Sequence, residues 1–171
     1  MTIHLCPIKF SNAALLERVT EALLHRYSVV PLELGIELDS VFSKERGQYY
    51  STQIIADAVE HANPLDGKLL ILVEVDLFIP VFTFIFGEAQ LRGPVALVSV
   101  CRLHEEFYTG RTNDNLLFER TMKEILHELG HTFGLVHCKS WDCVMHASAS
   151  VEEIDIKGGG FCEECEKRTL H

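Results

Sequence analysis

In the first part of the chain, β-branched and leucine-rich runs alternate with stretches whose apolar residues recur every third or fourth position. The first rhythm belongs to strands and the second to helices. Residues 2–10 read as a first strand. Ser11 or Asn12 can cap a helix running to about Tyr27, with Leu15, Leu16, Val19 and Leu23 on one face. Residues 28–34 fit a second strand. A second helix is predicted over 51–62, with Ile54, Ile55, Ala58 and Val59 inward. Residues 68–77 are apolar enough for a central strand, and residues 82–87 and 95–101 follow as strands around a turn at Gly93-Pro94. A long helix is predicted over 112–133. Thr112 or Asn113 can cap it, and Phe118, Met122, Ile125, Leu129 and Phe133 fall on its core side. Gly134 should end it. Beyond that point the chain is rich in cysteine and glycine and reads as irregular.

This alternation predicts an α/β fold in a single domain over 1–171. Residues 1–134 would form an upper strand-and-helix part, and 135–171 a lower part with little apolar core. Composition adds limits. The 171 residues are 47% hydrophobic and 23% charged, an ordinary globular balance, and the formal net charge is −10. That excess of acid argues against nucleic acid and anionic membranes as partners. No apolar run is long enough to span a bilayer, and residues 1–10 do not have the order of a secretory signal. The expected location is the cytoplasm.

The most specific chemistry lies between His127 and Met145. His127, Glu128, His131, Gly134 and His137 spell H-E-x-x-H-x-x-G-x-x-H. His127 and His131 are one helical turn apart on one face, so both imidazoles can reach one ion. Gly134 can take a positive φ and turn the chain so that His137 returns as a third ligand. Three protein ligands leave a position open for water, the mark of a catalytic zinc site. Glu128 can take the water's proton as general base and return it to a leaving amine.

Four of the six cysteines follow closely. Cys138 and Cys143, with the C-x-x-C pair Cys162 and Cys165, have spacing that suits a closed, structural four-thiolate zinc site. Two disulfides are the alternative. Cys6 and Cys101 fall in apolar strands and read as inert core residues.

A three-histidine site followed at once by a cysteine, then a second cysteine, a methionine and C-x-x-C, resembles the archaemetzincin family of metzincin-clan zinc metallopeptidases. The resemblance implies a twisted, mostly parallel sheet with one antiparallel edge strand and a long active-site helix. It implies two zinc ions per chain. His127, His131 and His137 would hold the catalytic zinc, with Glu128 as base; Cys138, Cys143, Cys162 and Cys165 would hold the structural one. Met145 would lie on the methionine turn beneath the histidines, where a thioether packs well. An edge strand pairing with extended substrate would be residues 82–88, and residues 147–150 would line the pocket beyond the scissile bond. The tyrosine that some metzincins carry after this turn has no counterpart: Tyr27, Tyr49, Tyr50 and Tyr108 all precede Met145. Oxyanion stabilisation is therefore expected from the metal and from His146 or a backbone N–H.

The expected activity is hydrolysis of peptide bonds in a peptide or protein substrate. A metal-binding protein of the same shape with little peptidase activity is a second reading. A YbeY-type zinc endoribonuclease is a third, disfavoured by Glu128 and the acidic charge.

Overall fold

The computed structural model describes residues 1–169. In chain order its elements begin with β1 (Thr2–Ile8), α1 (Ala13–Leu24), β2 (Ser28–Pro31) and a 3-10 turn at Leu38–Val41. There follow β3 (Phe42–Ser43), β4 (Gln48–Tyr50), α2 (Ser51–Ala62), β5 (Lys68–Val73), β6 (Leu77–Phe78), β7 (Gly87–Ala89) and β8 (Val95–Ser99). The last are α3 (Glu106–Thr109), α4 (Asp114–Thr132), α5 (Val151–Ile156) and α6 (Glu163–Thr169).

The main sheet has the order β2-β1-β5-β8-β7. All its pairings are parallel except that of β7 with β8, so an antiparallel strand forms one edge. This is the expected mostly parallel α/β architecture. The central strands are covered on both faces, which is why they are almost wholly apolar. Leu70 and Leu72 of β5, with Ala96 and Val98 of β8, pack with Leu15, Val19 and Leu23 of α1 and Ile125 and Leu129 of α4. The alternate residues Leu69, Ile71, Val73, Val95 and Leu97 pack with Ile54, Ile55 and Ala58 of α2. One face of the sheet thus carries α4, and its chemistry-bearing side chains lie beneath the β7 edge.

Several boundaries differ from the periodicity. β1 stops at Ile8, and Lys9 takes a left-handed φ of 46°. Asn12, not Ser11, caps α1 by accepting from Leu15 N–H; Ser11 instead donates its N–H and hydroxyl to Glu74. α1 ends at Leu24, and Tyr27 is buried after it. β2 is cut short at Pro31, a residue with no N–H to continue a ladder. The apolar run over 68–77 divides, because Leu77 opens β6 in a second small sheet ordered β3-β4-β6. Cys101 lies in the turn after β8 and is only partly buried, unlike Cys6 in β1.

Two corrections bear on function. Residues 82–86 are not a strand: apart from an isolated Leu77–Ile85 bridge they form a loop, and the edge strand is confined to Gly87–Ala89. The carbonyls of Phe82 and Thr83 are taken by Arg46 Nη2 at 2.7 and 3.1 Å, and Gln48 Nε2 also donates to Thr83 O at 3.0 Å. Side chains have replaced a strand ladder there. The segment after Gly134 is also less irregular than expected, since it contains α5 and α6. Ser150 caps α5 through a hydrogen bond from Glu153 N–H, rather than lining a pocket. Leu170 and His171, within the expected lower part, lie outside the described residues.

Candidate active site

α4 starts where Asn113 Oδ1 accepts from Leu116 N–H, and Asp114 places negative charge in the first turn. Its end is set by Gly134 at φ 92°. Gly134 N–H donates to His131 O, and Leu135 N–H donates to Gly130 O, the paired bonds of a Schellman motif. Leu135 is buried with Val144 and Met145. The motif also orients a ligand, because His131 Nδ1 lies 2.8 Å from Leu135 O. His127 Nδ1 lies 2.8 Å from Val144 O. With both Nδ1 atoms donating to carbonyls, both Nε2 lone pairs are left free.

The structure brings His127, His131 and His137 together, with one nitrogen from each within 4.8 Å of the others. The Nε2 atoms of His127 and His131 are 3.2 Å apart. Two nitrogens on one tetrahedral zinc would lie about 3.4 Å apart, from Zn–N bonds near 2.05 Å. The donor set therefore fits this ion. Burial, then the nearby Lys157 charge, holds the His127 imidazole well below its ordinary pKa. Burial also lowers His131 and His137. Neutral imidazoles are the form that binds metal.

These histidines open into a cleft of about 610 Å³, also lined by Glu128, Glu124, Gly87, Phe82 and residues 147–149. Glu128 is only 5% exposed. Burial, then the negative charge of Glu124, raises its pKa well above the carboxylate range. β7 makes room for it: a Cβ on Gly87 would lie 2.8 Å from both Glu128 Cγ and Oε1. Met145 is fully buried against the inner side of α4. Gly130 allows that approach, since a Cβ there would collide with Met145 Sδ and sit 3.0 Å from the Phe161 ring. Gly130 is the second variable position of H-E-x-x-H, so its importance is steric and appears only in three dimensions.

The sulfurs of Cys138, Cys143, Cys162 and Cys165 also gather within 4.8 Å of one another, and all are free thiols. Four thiolates on one zinc would be about 3.8 Å apart, from Zn–S bonds near 2.3 Å; the Cys138–Cys162 separation is 4.0 Å. A hydrogen bond from Cys165 N–H brings the Cys162 thiol down to about 7, while burial pushes the Cys143 and Cys165 thiols up. The two centres share a backbone. Cys138 follows His137, and its N–H donates to Met145 O at 2.9 Å.

Two features escaped the sequence. Lys157 is wholly buried, with Nζ 2.8 Å from Glu124 Oε1, in the wall of the cleft. No local signal joins a lysine after α5 to a glutamate on α4. His146, expected near the reaction centre, instead stacks on Trp141 with centroids 3.8 Å apart and directs Nδ1 to Cys138 O. It is not among the residues lining the cleft.

Known proteins place this architecture. The model of peptidase family M54 matches residues 34–170. An archaemetzincin from Thermococcus kodakarensis is 48% identical over 58% of this chain, which spans about half (53%) of that relative's length. One from Saccharolobus solfataricus is 32% identical over 86% of this chain and 83% of its own. Among solved structures, the archaemetzincin of Archaeoglobus fulgidus, complexed with malonate, superposes with a TM-score of 0.81 at 32% identity, covering 98% of this chain and 99% of its own. A zinc-dependent peptidase from Methanocorpusculum labreanum gives 0.85 at 27% identity over the same shares. The family match runs through both the histidine and the cysteine clusters, and the chain belongs to the archaemetzincins, peptidase family M54.

Proposed function

We propose that the protein is a zinc-dependent peptidase with Glu128 as general base and two zinc ions per chain, one held by His127, His131 and His137 and one by the four cysteines. The observation carrying this reading is the convergence of three imidazoles, two of them oriented by backbone carbonyls, and a buried carboxylate on one open cleft. The similar proteins of known structure support it, one of them being described as a zinc-dependent peptidase.

Zinc at the histidines would supply Lewis acidity and a water of lowered pKa. The chain's own residues supply the rest. Glu128, shielded from solvent and with raised proton affinity, is suited to accept a proton and pass it to the departing amine. Lys157 pairs with Glu124, so Glu128 is not left beside a second uncompensated carboxylate. β7 offers an extended substrate the free edge of the sheet directly above α4. The wall at Ala147, Ser148 and Ala149 presents small side chains and leaves room beyond the scissile bond.

The test is hydrolysis of a diverse peptide library by zinc-loaded protein, with Glu128→Gln as control. Wild type should cleave. The variant should keep both metals and lose about 100-fold or more in rate, the scale of general-base catalysis. Equal activity of the two proteins would remove Glu128 from the mechanism.

A further inference from the structure

The loop at residues 79–86 replaces a predicted strand with a fixed display of apolar side chains. Val81 is 78% exposed and Phe82 59% exposed, side by side. Single exposed apolar residues are ordinary, but Phe82 stands in the wall of the cleft with Phe84, Ile85 and Phe86, and such contiguous apolar surface suits binding. Their backbone is not free to fold them away. Arg46 holds the Phe82 and Thr83 carbonyls, Gln48 holds Thr83, and Phe82 N–H donates to Ile79 O at 3.1 Å. Arg46 is itself seated over the Phe78 ring, 4.3 Å from its centroid. Phe84 and Phe86 continue the aromatic surface into the cleft, edge to face at 5.2 Å.

The loop's position assigns a direction. Gly87 abuts Glu128, and further along the chain Arg92 N–H donates to His131 O. The segment from Gly87 to Arg92 therefore tracks α4 from Glu128 to His131, and Phe82 precedes it in the wall of the same cleft. A peptide pairing antiparallel to β7 would run the opposite way. Its residues after the scissile bond would approach Phe82 and the wall at Ala147–Ala149.

We propose that Phe82, with Phe84, is the specificity-determining surface of this cleft and selects a bulky apolar side chain carboxyl-terminal to the scissile bond. This rests on the peptidase reading. A preordered aromatic surface binds without first losing rotamer and loop entropy, so its apolar contact area converts efficiently into selectivity.

The experiment compares two peptide series, differing only in phenylalanine or alanine at each position after the cleaved bond. Cleavage by zinc-loaded protein is measured as kcat/KM, and binding to zinc-loaded Glu128→Gln by fluorescence anisotropy. At one position the wild type should prefer phenylalanine, and Phe82→Ser should lower that preference about tenfold, chiefly through KM. Phe82→Leu should restore much of it, as another apolar side chain of similar bulk. Val30→Ser, an exposed apolar residue on the opposite sheet edge, controls for a general loss of surface hydrophobicity. A preference untouched by Phe82→Ser, or an absent preference, overturns the assignment while leaving the peptidase reading in place. Failure to cleave or bind any peptide removes both.

Discussion

The histidine and cysteine clusters lie on adjoining residues of one chain but are supported in opposite ways. Two of the three histidines project from a regular helix whose inner face packs against the main sheet through Ile125 and Leu129. Their geometry is built into a core that exists without metal. The cysteines are carried by turns and by the start of a short helix, and the buried cluster around them is small: Leu135, Val144, Met145, Cys143 and Cys165. On the proposed reading, the sheet-borne site would use metal for chemistry, whereas the loop-borne site would need metal to hold its structure. His137 is the exception that couples them. It lies past the Schellman turn, is held by no helix, and precedes Cys138.

The comparison is broken most directly by removing one ligand from each cluster. Cys143→Ser should abolish the second zinc, loosen the segment after Gly134 and, through His137, weaken the first zinc. His131→Ala should lose only the first zinc and keep the fold. Zinc stoichiometry with near-ultraviolet circular dichroism distinguishes them; equal structural damage from both variants would mean that the two sites are supported alike.

A smaller effect is expected at the seam between the regions. Gly130→Ala gains about 1 kcal/mol of helix propensity. It also drives a methyl group into Met145 and towards Phe161, an overpacking cost of about 1–3 kcal/mol. The cost should prevail and lower thermal stability. Gly159→Ala, with open space around it, should not show this penalty. A Gly130→Ala protein as stable as wild type would mean that the methionine turn can retreat freely from α4.

The smallest effect is one of pH. His127, His131 and His137 have lowered pKa values in the metal-free fold, chiefly through burial. The unfolded chain takes up protons first as pH drops through about 6.5. Metal-free stability should therefore decline below that pH, until the lowered folded values are reached. Glu128 has a raised pKa and works in the opposite sense. Denaturation of the metal-free Glu128→Gln protein between about pH 7.5 and 5.5 removes the opposing contribution of that carboxylate. A stability that rises on acidification would show that they are not held neutral.

The chain's local order was readable wherever one rhythm dominated. The helix at Ser51–Ala62 has the predicted limits, and α4 differs by a residue or two at each end. The misreadings have a common cause. Residues 82–87 carry the aromatic composition of a strand, but the Arg46 and Gln48 side chains occupy carbonyls that a neighbouring strand would have bonded. Residues 68–77 are uniformly apolar, so hydropathy could not reveal that Leu77 joins a different sheet. α5 and α6 are too short to establish a helical period, and each is held by tertiary contacts. Arg120 reaches Asp155 of α5 at 2.7 Å, while Arg26 pairs with Glu166 of α6.

By itself the sequence determined the family, the candidate metal-binding residues, the handling of the helix end at Gly134 and the acidic balance, because each depends on residue type and spacing over a few turns. The tertiary structure decided the rest. It buried Lys157 against Glu124, turned His146 away from the cleft, required glycine at positions 87 and 130, and fixed Phe82 at the cleft mouth. Each of these joins segments remote in the chain, and only packing determines which remote groups meet.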